Sequence, residues 1–152
     1  MKCKSAFTVI ELIFVIVVLG ILATVALPKF AGVKEQADVA KGKGDVATIR
    51  AGIVNERQTR LIKGCASYIP NGTGTFTCGS STHNAMDNGG LFGGVLTQGF
   101  PNSATRGNWS ATAGSGTYLY WVGSASTQFD YNATSGSFGC TAGAGYCNQL
   151  TN

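Results

Sequence analysis

Lys4-Ser5-Ala6-Phe7-Thr8-Val9-Ile10-Glu11-Leu12 opens a run that stays apolar as far as Leu27, and this run decides how the chain is organised. Residues 7–27 carry a single charge, Glu11. As a helix rising about 1.5 Å per residue they span about 32 Å, the hydrocarbon thickness of a bilayer. Lys2 and Lys4 precede the run, which predicts an N-terminus on the cytoplasmic side. Glu11 is the anomaly. A carboxylate inside hydrocarbon costs on the order of 3 kcal/mol and needs a partner.

Three readings compete for this segment. A secretory signal peptide would use residues 1–4 as its basic region and Thr24-Val25-Ala26 as its small-residue cleavage site, but an acid in the apolar stretch fits it poorly. A plain membrane anchor leaves Glu11 unexplained. The third reading uses the acid. The run from Lys4 to Leu12 resembles the class III leader of type IV pilins and type II secretion pseudopilins. The resemblance covers Lys4 to about Phe30. It implies that a prepilin peptidase cuts between Ala6 and Phe7, with Ala6 standing where the family usually has Gly. It implies N-methylation of Phe7, and it makes Glu11 the family's assembly glutamate. The cationic amine on Phe7 would lie one turn from Glu11, or beside the Glu11 of a neighbouring subunit. Such a pair offsets much of the cost of burying either charge and sets subunits in axial register. Gly20 and Pro28 fall where the family's helix loosens inside filaments. Read from residue chemistry alone they are two weak helix points, with a kink expected at Pro28.

Beyond this segment the charge is uneven. The chain has 152 residues, 11 Lys+Arg against 7 Asp+Glu, and a net charge of +4, too weak to imply nucleic acid as a partner. Hydrophobic residues at 44% argue against disorder. Most charges lie between Lys29 and Lys63, whereas residues 64–152 hold only Asp87, Arg106 and Asp130 and carry 17 of the 22 glycines. One histidine, His83, and a nearly neutral second half argue against an enzyme. The expected divisions are a cleaved leader at 1–6, a transmembrane and assembly helix at 7–28, an amphipathic second helical half at 29–63, and an exported β domain at 64–152.

In the charged middle, Val39, Val46, Ile49 and Ile53 share one helical face, and Ala37, Ala40, Gly44, Ala47 and Ala51 form a neighbouring face of small residues. The bulky face is expected to pack on a sheet. The small face either admits helices of other subunits or joins the same monomer core. Gly42, Gly44 and Gly52 each cost about 1 kcal/mol in a helix interior. Residues 7–62 would reach about 84 Å as one helix, too long for a small domain to bury. Lys34, Lys41, Lys43, Arg57 and Arg60 are expected on a solvated face.

The neutral end reads as short strands at 66–69, Thr75–Cys78, 91–96, Thr117–Val122, 128–131 and Ser137–Cys140, with a hairpin turning at 132–136. A four- or five-stranded antiparallel sheet against the helix gives an α+β fold, the ladle of the pilin family. Tyr118, Tyr120 and Trp121 are expected in the sheet core, His83 in a solvated loop, and the Gly-rich 88–94 stretch as a flexible turn.

With Cys3 in the leader, Cys65, Cys78, Cys140 and Cys147 form an even set on the exported side, where disulfides persist. Three pairings are possible, and local closure favours Cys65–Cys78 with Cys140–Cys147. A zinc site is the weaker rival, because no CxxC is present; no metal or other cofactor is expected, and Asp87 and Asp130 are too few for calcium. Asp130-Tyr131-Asn132-Ala133-Thr134 resembles an acidic-type bacterial N-glycosylation sequon, which makes Asn132 a candidate modification site.

The leading expectation is a structural subunit that polymerises through its N-terminal helix into a type IV pilus or a type II secretion pseudopilus. Its implied partners are the prepilin peptidase, identical or minor subunits and an inner-membrane assembly platform. It would sit in the inner membrane before assembly, then in the periplasm or at the cell surface as a filament. The alternative is a membrane-anchored, non-polymerising module whose neutral sheet recognises sugar or surface ligands.

Overall fold

The computed structural model describes residues 7–112, 114–141 and 143–152, and describes the side chains of these except 27–31. The leader expected at 1–6, with Cys3 and Ala6, lies outside the described residues. The described residues divide into two compact units between Gln36 and Ala37. Helix α1 (Val9–Ile62) contributes to both, and helical backbone is assigned through Gly20 and Pro28.

In the first unit, Thr8 caps the start of α1. Glu11 Oε2 accepts the Thr8 N–H at 3.1 Å and the Thr8 hydroxyl at 3.0 Å, while the Glu11 N–H reaches Thr8 Oγ1 at 3.3 Å. This is a reciprocal capping box, Thr-x-x-Glu, which satisfies helix N-terminal donors that have no partner within the helix. From Val9 to Ala26 the mean hydropathy is 2.9 and no residue is buried, so this stretch is long and apolar enough to cross a membrane.

In the second unit, α1 continues from Ala37 and closes with a Schellman turn. Gly64 (φ 80°) takes the left-handed position, its N–H bonds Leu61 O, and the Cys65 N–H bonds Arg60 O at 2.9 Å. The chain then makes a hairpin, β1 (Thr75–Cys78) with β2 (Ser81–Asn84), and a four-stranded antiparallel sheet in the order β3 (Trp109–Ala111), β4 (Thr117–Val122), β5 (Ala125–Asn132), β6 (Ser137–Cys140). A short helix, α2 (Cys147–Thr151), ends the fold. The architecture is α+β.

Alternation along β4 and β5 turns Tyr118, Tyr120, Val122, Thr127, Phe129 and Tyr131 inward. All of these but Thr127 meet Val46, Ile49 and Ile53 of α1 in one core. Phe92, Trp109 and Phe138 complete an aromatic cluster, with Trp109 edge-on to Phe129 at 5.3 Å and Phe129 stacked on Phe138 at 5.4 Å. Gly42 is where helix and sheet touch. A Cβ there would lie 2.3 Å from the Tyr120 ring and 2.7 Å from Leu150, so only glycine allows this approach.

Several expectations are corrected. Residues 66–69 form no strand, because Arg57 and Arg60 of α1 take the carbonyls of Ala66 and Ser67 that a ladder would need. Residues 91–96 make only a single bridge, Leu91 to Phe100. The chain there doubles back through Gly93 and Gly94, which press on the Asn88 and Ala85 carbonyls, so the Gly-rich stretch is a packed turn with Leu91 and Phe92 buried. Strands β2 and β3 were not expected. Trp121 lies half-buried on the outer sheet face, its Nε1–H donating to Ser110 Oγ at 2.8 Å. His83 is buried in β2, 3.9 Å from Glu56. Arg60, expected in solvent, is fully buried over the Phe76 ring, and desolvation holds its guanidinium below its usual pKa. Lys41 is also engaged, donating to the Gly107 carbonyl.

Candidate assembly surface

The second unit covers its own core, and what it leaves uncovered is informative. Ala37, Ala40, Gly44, Ala47 and Ala51 are all exposed. Exposed Val54 and Leu61 continue the same three-and-four spacing. The small face therefore lies outside the monomer core, while the bulky face of the same helix lies inside it. A Cβ on Gly44 meets nothing within 4 Å, in contrast to Gly42. Ala51 and Gly52 border an open groove of about 580 Å³ that Leu96 and Phe100 line from the opposite side.

The charges of the middle segment are largely spent within the unit. Asp38 Oδ2 accepts Arg106 Nε at 2.7 Å and the Gly123 N–H at 3.1 Å. Asp45 Oδ2 accepts the Trp109 indole N–H at 3.1 Å. Desolvation pushes the Asp45 carboxyl above its usual range, and the Trp109 hydrogen bond and the nearby Lys41 partly offset this. Asp87 is buried. Its Oδ1 accepts the Tyr118 hydroxyl at 2.9 Å and the Phe92 N–H at 3.2 Å, which holds Phe92 at φ 61°. Asn102 pairs through its carboxamide with both the N–H and the C=O of Ala111, so the free edge of β3 is closed to strand addition.

Cys65 is joined to Cys78, tying the exit of α1 to β1. Cys140 is joined to Cys147, fixing α2 to the end of β6 so that Leu150 is held in the core. Among the described residues no group of three or more His, Cys, Asp or Glu side chains is arranged to hold a metal. Phe7 is exposed, a Cβ on Gly20 would meet nothing within 4 Å, Pro28 lies within α1, and Asn132 is exposed at the end of β5. Thr8 was missed by sequence reasoning, although Thr-x-x-Glu before an apolar run is the signature that reveals it.

The prokaryotic N-terminal methylation motif matches residues 1–27. The type IV narrow pilus major component PilA5 of Thermus thermophilus is 36% identical over 89 residues, which is 58% of this chain and 75% of that protein. The chain belongs to the type IV pilin and pseudopilin family. The type II secretion system core protein G of Pseudomonas aeruginosa is 42% identical over 50 residues, and that of Aeromonas hydrophila 44% over 46. These two matches span 35% and 32% of the respective relatives, about a third of each. No solved structure gives a significant match. Pilins and pseudopilins are structural subunits rather than catalysts, and the uncovered apolar helix fits a membrane-anchored precursor.

Proposed function

We propose that the chain polymerises through its N-terminal helix into a type IV pilus, after removal of residues 1–6 between Ala6 and Phe7 and N-methylation of Phe7. The observation that carries this reading is Val9–Ala26, strongly apolar with Glu11 its one charge and buried nowhere, attached to a unit that closes its own core. Such a helix needs lipid before assembly and other helices after it. The exposed small face of α1 supports the same reading, since it lets helix backbones approach closely. A pilus is favoured over a secretion pseudopilus because the narrow-pilus relative matches over 89 residues, which cannot be contained in the 62 residues up to the end of α1.

In this reading residues 7–28 form the transmembrane and assembly segment, 29–63 the amphipathic half and 64–152 the exported domain. Prepilin peptidase, an inner-membrane assembly platform and further subunits are the partners. The chain passes from the inner membrane to a surface filament. Glu11, steadied by Thr8 of its own chain, takes the Phe7 amine of a neighbour as counter-ion. The test is Glu11→Ala in the native cell. The variant is expected to be processed to a methylated Phe7, yet to yield no filaments in sheared material by electron microscopy. Normal filaments would remove Glu11 from the mechanism, and a chain retaining Met1 in peptidase-competent cells would sink the reading altogether.

A further inference from the structure

We propose that Asn132 accepts an N-linked glycan once the chain has been exported; the inference rests on the export reading above. Three Asn-x-Ser/Thr tripeptides occur in the sequence, at Asn71, Asn108 and Asn132, and any of them satisfies the motif on paper. The fold separates them.

Asn71 is packed away. Its Oδ1 is buried, and its carboxamide lies so close under Gly116 that a Cβ there would come within 2.4 Å of Nδ2. Asn108 is engaged on both ends. Its Nδ2 donates to Thr105 Oγ1 at 2.8 Å, and Lys41 approaches its Oδ1 at 3.5 Å. The middle residue of that tripeptide, Trp109, is buried, and the Ser110 hydroxyl is taken by the Trp121 indole at 2.8 Å. Neither tripeptide offers an exposed acceptor amide.

Asn132 is the exposed one of the three, although Ala133 beside it packs against the core. Asn132 ends β5 opposite Ser137 at the mouth of a four-residue hairpin loop closed by the Gly136 N–H on the Asn132 carbonyl at 2.8 Å. Its Oδ1 accepts the N–H groups of Thr134 at 2.8 Å and Ser135 at 3.2 Å. This fixes the carboxamide with its nitrogen available. Two donors on Oδ1 also draw electron density from the amide and make the Nδ2–H easier to lose. Asp130 is exposed on the same face of β5, as the period of two requires, and is held there by Thr117 Oγ1 at 2.9 Å and Gln128 Nε2 at 3.1 Å. The acceptor amide and the acid two residues before it are therefore exposed together on one face at the end of β5, while Gly136 at the far side of the loop packs against the Tyr68 ring.

The donor is a polyprenyl-pyrophosphate-linked sugar, delivered by a membrane oligosaccharyltransferase on the exported side. Asn132 Nδ2 attacks the anomeric carbon. The new C–N bond replaces the C–O bond to the pyrophosphate, the amide proton passes to a base of the transferase, and the polyprenyl pyrophosphate leaves.

The test is intact and peptide mass spectrometry of the full chain from its native cells, as wild type and as N71Q, N108Q, N132Q, T134A and T134S. A saccharide mass increment is expected in wild type, N71Q, N108Q and T134S, and should vanish in N132Q and T134A. T134S keeps the hydroxyl and so separates loss of the acceptor motif from loss of the fold. A leader-processed, disulfide-closed chain of unmodified mass would overturn the assignment, as would an increment that survives in N132Q. A chain that still carries Met1 would instead strike at the export reading, so the two failures are distinguishable.

Discussion

Arg106 Nε lies 2.7 Å from Asp38 Oδ2, so the one Lys or Arg in residues 64–152 is locked to an acid of α1. Asp38 also holds the Gly123 N–H, at 3.1 Å, in the two-residue turn between β4 and β5, where Gly123 has φ 60°. One carboxylate thus pins both the loop before β3 and a sheet turn to the helix. Arg106 is partly exposed, so Arg106→Ala is expected to cost only about 0.5–1 kcal/mol. Asp38→Ala strands both partners and should cost about 2 kcal/mol. Urea unfolding of the detergent-solubilised chain, followed by tryptophan fluorescence, measures both. Equal losses for the two variants would mean that the Gly123 bond contributes nothing.

Gly42 and Gly44 look alike in the sequence, and each is unfavourable in a helix by about 1 kcal/mol. Their surroundings are opposite. A methyl at Gly42 would sit 2.3 Å from the Tyr120 ring, while one at Gly44 meets nothing within 4 Å. Gly42→Ala should therefore destabilise the fold by about 1–3 kcal/mol despite its better helix propensity. Gly44→Ala should stabilise it by up to about 1 kcal/mol. The midpoints of thermal unfolding must move in opposite directions, and a shared direction would contradict the close approach of helix and sheet at Gly42.

These two glycines show where the sequence was legible and where it was not. Periodicity found the buried face of Val46, Ile49 and Ile53, and alternation found Thr117–Val122 with its inward Tyr118 and Tyr120. Both signals come from a repeated burial pattern, and both survive without knowledge of the tertiary partner. β2 and β3 lack such a signal: one is the polar Ser-Thr-His-Asn, the other only three residues long. Long-range neighbours decide the rest. Arg60 reads as a surface cation until the Ser67 carbonyl and the Phe76 ring are brought over it. His83 reads as a loop residue until it pairs across from Phe76. At the N-terminus, Glu11 stood out because an acid in an apolar run is costly. Its partner Thr8 was overlooked because a threonine there carries no such cost. The small face of α1 was visible as a pattern, but only the folded core reveals that it is left uncovered.

Alkaline pH probes the core from another side. Burial raises the hydroxyl pKa values of Tyr118 and Tyr120, and it pushes Tyr131 up to about 12, with nearby Arg60 acting in the opposite direction. Tyr131 donates its hydroxyl to Ile69 O at 2.9 Å and would lose that bond on ionising. The unfolded chain releases these protons near pH 10, whereas the folded chain holds them beyond it. Across that interval the unfolded state binds fewer protons, so stability falls as pH rises. For Tyr131 alone the loss between pH 10 and 12 should reach about 2–3 kcal/mol. Tyr131→Phe removes its contribution. The variant should start about 1 kcal/mol less stable at neutral pH, for want of the Ile69 bond, and then decline more shallowly than wild type above pH 10. Parallel pH–stability curves for the two proteins would show that Tyr131 ionises as freely in the folded chain as in the unfolded one.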